Sequence, residues 1–171
     1  MGDRRVAFAV VLCEDQAHAT LAIRYLRTRF DLAPRCIRVQ QAPPSGGSAE
    51  QYVRQRFEKE VLAYRKRANS LALCLLVVTD ADTRTVHDRV ASLEDEAPRL
   101  PTDRVALFVP KRNVETWAVA YAEGGVNEEV DYGPQPAQRI REAADRLAGW
   151  DSLGLESIEH ALFEATNLDR F

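Results

Sequence analysis

Acidic residues follow two of the apolar segments that the sequence predicts to be β-strands. Glu14 and Asp15 follow the first of these segments, and Asp80 and Asp82 follow the third. The carboxyl ends of parallel strands form the edge at which open α/β sheets bind their ligands. Carboxylate oxygens are the ligands that hard divalent cations prefer. We therefore expect Glu14, Asp80 and Asp82 to bind Mg²⁺ or Mn²⁺, with Asp15 as a further ligand or as a base.

A second set of candidate groups surrounds the same expected edge. Lys111 and Arg112 come directly after the fourth predicted strand, and Glu115 lies in the first turn of the next predicted helix. A bound cation activates water and neutralises a phosphoryl oxygen, and a basic side chain stabilises charge in the transition state. His18 lies one helical turn beyond Glu14 and would face the same crevice. The candidate catalytic residues are Glu14, Asp15, Lys111 and Glu115, and the candidate substrate-binding residues are Arg112 and His18.

The segments that must position these groups predict an α/β protein. Four apolar runs show no alternation, which is typical of parallel strands covered on both faces, and segments with a helical period separate them. We expect a three-layer, mostly parallel sheet of about four strands with helices on both faces, of Toprim or Rossmann type, followed by C-terminal helices. The predicted strands are 6–13, 36–39, 71–79 and 104–110. The predicted helices are 16–30, 48–68, 85–97, 114–123, 137–147 and 155–166.

Local signals mark the ends of several predicted helices. Ser48, with Gln51 three residues later, has the pattern of a capping box. Asn113 is a good N-cap for the helix that contains Trp117. Gly124 and the glycine after it should end that helix. The 171 residues suffice for one domain with a hydrophobic core, and we expect a single domain in which residues 126–171 are a helical C-terminal extension.

Composition excludes several classes of protein. No apolar run approaches the roughly 20 residues that span a bilayer, and residues 1–5 lead straight into a strand without a signal peptide, so we expect a cytoplasmic protein with no membrane partner. Cys13, Cys36 and Cys74 are isolated, which favours buried free thiols over a zinc site. The formal net charge of −3 does not indicate a nucleic-acid binder. However, basic residues concentrate in segments 24–38 and 54–67, where they form either solvated helix faces or a surface for a polyanionic substrate.

The acidic strand ends resemble the pattern of the Toprim domain, which topoisomerases, bacterial primases and nucleases of the overcoming-lysogenisation-defect type share. That pattern has a Glu after the first strand and an Asp-x-Asp pair after a central strand, which here are Glu14, Asp80 and Asp82. The chain is similar in particular to small bacterial Toprim-like proteins over residues 5–125. The matching segments are Leu12–Asp15 with His18, Gly47–Val53, Val78–Asp82 and Val109–Trp117.

This resemblance implies a metal-dependent nuclease or phosphodiesterase that acts on nucleic acid. It also implies an ATPase partner protein and a role in anti-phage defence, and it is compatible with a homodimer. One position departs from the Toprim pattern, because Asp15 replaces the Gly that usually follows the first acidic residue. The replacement adds a carboxylate and removes a flexible turn, so it bears on DNA cleavage more than on metal binding.

Other interpretations of the same residues remain open. Glu14 or Asp15 could cap the following helix, and Asp80 with Asp82 could form a capping turn before the helix at 85–97. The chain could be a non-catalytic partner subunit that keeps the Toprim scaffold. A receiver-like signalling domain would use Asp80 as phosphoacceptor, although the long insertion before it argues against that. A haloacid-dehalogenase-type phosphatase needs Thr or Val where this chain has Arg84.

Overall fold

A computed structural model of the chain describes residues 6–169. Within this range the chain forms four strands and six α-helices in an α/β order, and predictions that concern residues 1–5 and 170–171 lie outside it. The strands are β1 (Phe8–Cys13), β2 (Ile37–Gln41), β3 (Leu73–Val78) and β4 (Val105–Phe108). The helices are α1 (Gln16–Phe30), α2 (Ala49–Ala68), α3 (Val86–Glu94), α4 (Val114–Glu123), α5 (Ala137–Ala148) and α6 (Glu156–Asp169).

The four strands form one parallel sheet in the order β2-β1-β3-β4. The register places Cys13, the last residue of β1, opposite Gln41 of β2 and opposite Val78 of β3. The chain leaves β1 towards β2 on one side and enters β3 on the other side. The order of strands therefore reverses between β1 and β3, which is the position at which open α/β sheets bind ligands.

Two hydrophobic cores cover the two faces of the sheet. Because neighbouring residues of a strand point to opposite faces, Val11 and Leu76 pack with α1, α4, α5 and α6, whereas Leu12 and Leu75 pack with α2 and α3. All six residues of β3 are buried. The expected α/β fold with a parallel sheet and helices on both faces is confirmed.

Most of the local signals also act as predicted. The range of α1 agrees at both ends, Ser48 caps α2 by accepting from the backbone N–H of Gln51, and Asn113 caps α4. Strands β1, β3 and β4 are shorter than predicted. Strand β2 begins one residue later than predicted, because Pro34–Cys36 forms a 3₁₀ turn, and it ends two residues later, at Gln41. The three cysteines are free thiols, as expected. Within residues 6–169, no helix is both long and apolar enough to cross a membrane.

The C-terminal helices close the structure around the sheet. Helix α5 packs on α1 and α4, and α6 lies along β4. Glu164 of α6 is buried and accepts from the backbone N–H of Leu107 at 3.3 Å. The guanidinium of Arg99 bonds to the same carboxylate oxygen of Glu164 and contacts the carbonyl of Val105 at 3.5 Å. Two side chains thus occupy the outer edge of β4, where a fifth strand would otherwise pair.

Candidate functional site

The acidic residues of β1 and β3 meet at the carboxyl edge of the sheet, as the sequence predicts. Glu14 and Asp80 follow neighbouring strands, and both lie at the point where the strand order reverses. Glu14 accepts hydrogen bonds from the hydroxyl of Thr79 and from the backbone N–H of Asp80, the latter at 2.9 Å. Burial and the nearby carboxylate of Asp80 raise the pKa of Glu14, although His18 opposes that rise. Oε1 of Glu14 therefore accepts both bonds and fixes the position of the residues that follow β3.

His18 is the link between the two strand ends. Its Nδ1 lies 2.7 Å from Oδ1 of Asp15, and its Nε2 lies 2.9 Å from Oδ1 of Asp80. The side chain is only 1% exposed, so it reaches a ligand through these carboxylates rather than directly. Burial alone would lower the pKa of His18, but the two carboxylates hold it well above its ordinary value of 6.5.

Asp15 has a structural task besides its contact with His18. Its carboxylate accepts from the backbone N–H of His18 at 3.0 Å, and Asp15 is the N-cap of α1. The interpretation of Asp15 as a cap is thus confirmed. Although burial would raise its pKa, the bonds from His18 lower it to about 2. The interpretation of Asp80 and Asp82 as the cap of α3 is wrong, because Thr85 caps that helix with its hydroxyl.

Asp82 faces a basic partner across the edge. Nη1 of Arg112 donates to Oδ1 of Asp82 at 2.7 Å, and both side chains are accessible to solvent. Asp82 has a φ of 56°, in the left-handed region, which Asp tolerates better than most residues but which still costs free energy. The chain turns at Asp82, because the backbone N–H of Ala81 still donates to the carbonyl of Pro110 at 2.8 Å.

Lys111 and Glu115 both follow the fourth strand, but they have different neighbours. Nζ of Lys111 is 3.5 Å from a carboxylate oxygen of Glu156 and 3.7 Å from one of Glu129. It therefore contacts the C-terminal part of the chain rather than the acidic cluster, which is formed by Glu14, Asp15 and Asp80 around His18. Glu115 is partly buried, and this burial together with the carboxylates of Asp15 and Asp80 raises its pKa. Glu115 thus belongs electrostatically to the acidic cluster.

Arg89 of α3 is a site residue that the sequence analysis missed. Its Nε donates to the backbone carbonyl of Asp80 at 2.9 Å, and its Nη1 bonds to Glu50 in the first turn of α2. It is 5% exposed. A signal was present in the sequence, because Arg89 shares the inward face of α3 with the buried residues Val86 and Leu93. A basic residue on an otherwise apolar helix face indicates a buried acceptor.

An open pocket with a volume of about 480 Å³ lies at this edge of the sheet, and several of the residues described above line it. Its wall carries carboxylates, three guanidinium groups and the start of α2. Lys111, Glu115, Asp15 and His18 are not part of that wall. The residues that line the pocket are Glu14, Ser48, Ala49, Glu50, Asp80, Asp82, Thr83, Arg84, Arg89, Arg112, Asn113 and Asp131.

The carboxylates that the sequence assigns to a metal ion are also engaged with protein groups. Glu14, Asp80 and Asp82 supply the oxygen ligands that Mg²⁺ prefers. However, oxygens of all three already accept from protein donors, namely Thr79, His18 and Arg112. Within residues 6–169, no group of three or more His, Cys, Asp or Glu side chains is placed to hold a metal ion.

Comparisons with protein-family models, with curated proteins and with solved structures give no match for this chain.

Proposed function

We propose that this chain is a Toprim-type phosphodiesterase or nuclease that acts on nucleic acid in the cytoplasm and requires Mg²⁺ or Mn²⁺. One observation carries the proposal. The carboxylates of Glu14, Asp80 and Asp82 line the same pocket as the guanidinium groups of Arg84 and Arg112. The pocket opens at the position where the strand order reverses, and such positions bind ligands in open α/β sheets.

The guanidinium groups support a phosphate-bearing substrate. Arginine binds phosphate through two parallel N–H donors, which gives both strength and orientation. Arg112 reaches across the pocket to Asp82, and both side chains remain accessible. Arg84 is exposed at the same pocket. We therefore assign Arg112 and Arg84 to contact with the phosphates of the substrate.

The electrostatics of Glu14 support a role in proton transfer. A general acid or base works best when its pKa lies near the working pH. Burial raises the pKa of Glu14 from its ordinary value of 4.5 and so brings it closer to neutrality. Its bonds to Thr79 and to the backbone of Asp80 fix its orientation at the pocket wall.

A cleavage assay tests this proposal. Wild-type protein, Asp80→Asn and the control Asp88→Asn are incubated with single-stranded and double-stranded DNA and RNA, with Mn²⁺ or with a chelator. Asp88 is an exposed acid in the first turn of α3, away from the pocket lining. We expect cleavage by the wild type and by Asp88→Asn only with metal, and a loss of about 100-fold or more in Asp80→Asn. Equal cleavage by all three proteins would contradict the proposal.

A second candidate function is a non-catalytic subunit that binds nucleic acid on the same scaffold. Its support is the pairing of the carboxylates with protein donors and the presence of Asp15 where Toprim domains have Gly. In this case the chain would assemble with an ATPase partner in an anti-phage system. Binding of nucleic acid without cleavage, together with co-purification of an ATPase, would favour this function over the first.

A further inference from the structure

A segment with three acidic residues and no basic residue lies between α4 and α5, beside the pocket. This acidic strap comprises residues 126–133 and contains Glu128, Glu129 and Asp131. None of its residues belongs to a helix or a strand, and Asp131 forms part of the pocket wall. The strap thus places negative charge where the proposed function requires a phosphate of the substrate to bind.

Two acids of the strap contact residues that follow β4. A carboxylate oxygen of Glu129 lies 3.7 Å from Nζ of Lys111, and Oδ1 of Asp131 accepts from Nδ2 of Asn113 at 3.0 Å. Arg112, which we assign to the substrate phosphate, stands between these two partners in the sequence. The strap therefore engages the residues on either side of the main phosphate contact.

Asp131 also interacts with the charge of Arg112. The backbone N–H of Gly133 and the amide of Asn113 lower the pKa of Asp131, and the nearby positive charge of Arg112 lowers it further. The same guanidinium donates to Asp82 at 2.7 Å. A phosphate that approaches Arg112 has to compete with the attraction of these carboxylates, and its own negative charge is repelled by Asp131.

The strap is held firmly at one point and weakly at its tip, which we define as residues 129–133. Glu128 is the firm point, because one of its carboxylate oxygens accepts both from the backbone N–H of Ser157 at 3.2 Å and from the hydroxyl of Ser157. Glu129 and Asp131 are exposed, and contacts between exposed charged groups contribute little free energy. The tip can therefore leave the residues that follow β4 while Glu128 stays in place.

We propose that the tip of the acidic strap is an internal competitor of the substrate, and that it occupies Lys111, Arg112 and Asn113 until a phosphate chain displaces it. This inference rests on the proposed function, because it concerns the regulation of the same phosphate contacts. A protein whose binding-competent form is only partly populated has a lower apparent affinity, in proportion to that population. The strap thus reduces the affinity of the free protein for nucleic acid.

Binding of a short fluorescein-labelled single-stranded DNA tests the role of the strap. The variant Glu129→Ala/Asp131→Ala removes both contacts of the tip. The control Glu58→Ala/Glu142→Ala removes two exposed acids of α2 and α5, so it changes the net charge equally. Fluorescence anisotropy in the presence of a chelator measures the affinity without metal-dependent cleavage. We expect the strap variant to bind about tenfold more tightly than the wild type and the control less than about threefold more tightly. Equal gains in the two variants would overturn the proposal.

A second comparison separates occupation of the basic residues from general electrostatic attraction. Lys111→Met/Arg112→Met removes the basic side chains on which the strap acts, and it is measured alone and together with Glu129→Ala/Asp131→Ala. Low ionic strength keeps the weak binding measurable. If the strap acts by occupying these side chains, its removal should give no further gain in affinity once they are absent. A gain as large as that in the wild-type background would overturn the proposal.

The outcomes for the strap and for the nuclease can be distinguished, because the binding assay does not depend on cleavage. A specific gain in affinity in the strap variant, in a protein that cleaves nothing with Mn²⁺, would support the strap and refute the nuclease. Metal-dependent cleavage by a wild type whose affinity is not raised in the strap variant would do the opposite. If the strap variant does not bind the DNA at all, the proposed role of the strap is wrong.

Discussion

Glu14 and Glu164 are two inward-facing glutamates that stand at different edges of the same sheet. Each accepts a hydrogen bond from a strand or strand-end backbone N–H, that of Asp80 in one case and that of Leu107 in the other. Glu164 is paired with the guanidinium of Arg99, is 2% exposed and lies away from the pocket. Glu14 belongs to a cluster with several carboxylates and His18, and it borders an open pocket.

The contrast shows which property distinguishes a candidate site from a structural ion pair. Both glutamates are bonded to the backbone, so burial and hydrogen bonding alone do not indicate function. At the β4 edge the carboxylate has its own cation. At the carboxyl edge, Glu14 and Asp80 lie beside each other and border a pocket that is open to solvent. Acidic groups that interact with each other in an accessible pocket are candidates for a functional site.

The largest effect is expected from Glu164→Ala. The substitution leaves Arg99 without its buried partner and Leu107 without an acceptor for its N–H. Breaking a buried pair on one side costs about 3–5 kcal/mol. We expect a loss of that size in the free energy of unfolding, measured by urea denaturation, with Mn²⁺ and nucleic-acid binding by the folded protein unchanged.

Glu94→Ala provides the matched control for that experiment. Glu94 also bonds to Arg99, but its side chain is 40% exposed. Its removal should cost less than about 1 kcal/mol, as for other solvent-exposed pairs. Similar losses in the two variants would show that burial does not distinguish the two bonds of Arg99.

An opposite effect on stability is expected from Glu14→Gln. The amide oxygen can still accept from Thr79 and from the backbone of Asp80, but the buried charge is gone. Because the pKa of Glu14 is raised by burial, its ionised form destabilises the folded state. The variant should be more stable than the wild type at pH 7, while the cleavage assay should show a large loss of activity.

The difference in stability between Glu14→Gln and the wild type should depend on pH. Below the ordinary Glu value of 4.5 the carboxyl is protonated in both the folded and the unfolded chain, so the two proteins should be equally stable. The advantage of Glu14→Gln should appear as the pH rises above 4.5 and then level off above the folded-state pKa. Urea denaturation at a series of pH values measures it. An advantage that grows towards acidic pH would contradict the assignment.

The smallest effect on stability is expected from Arg112→Met. The pair with Asp82 is solvent-exposed, so the free energy of unfolding should change by less than about 1 kcal/mol. If Arg112 contacts a phosphate, nucleic-acid affinity should fall, and the dependence of log K on log salt should decrease by about one. Arg139→Met, which breaks the exposed pair with Glu123, should leave binding by fluorescence anisotropy unchanged.

The fold could be predicted because its signals are local. The continuous apolar run that includes β3 favours a strand covered on both faces, and the caps Ser48 and Asn113 mark helix starts through hydrogen bonds made within one turn. The 3₁₀ turn at Pro34–Cys36 and the early end of α3 at Glu94 were missed. The turn begins with Pro34, and proline at the first position is itself a local signal for a helical start.

The site was predictable only in part, because its partners are distant in sequence. The positions of Glu14 and Asp80 follow from where strands end. The contact of His18 with Asp80 spans 62 residues, and that of Glu14 with Thr79 spans 65, so no local pattern shows them. Lys111 follows a strand end as well, but its charge is attracted by acids on the C-terminal side of the chain.

The position of Glu164 at the outer edge of β4 has a consequence for folding during synthesis. All four strands have been translated by Phe108, but Glu164, which occupies the outer edge of β4, is added 57 residues after Leu107. Until then a nascent chain carries a complete sheet with an open margin, which another strand could join. Covering this edge therefore depends on synthesis of the last helix.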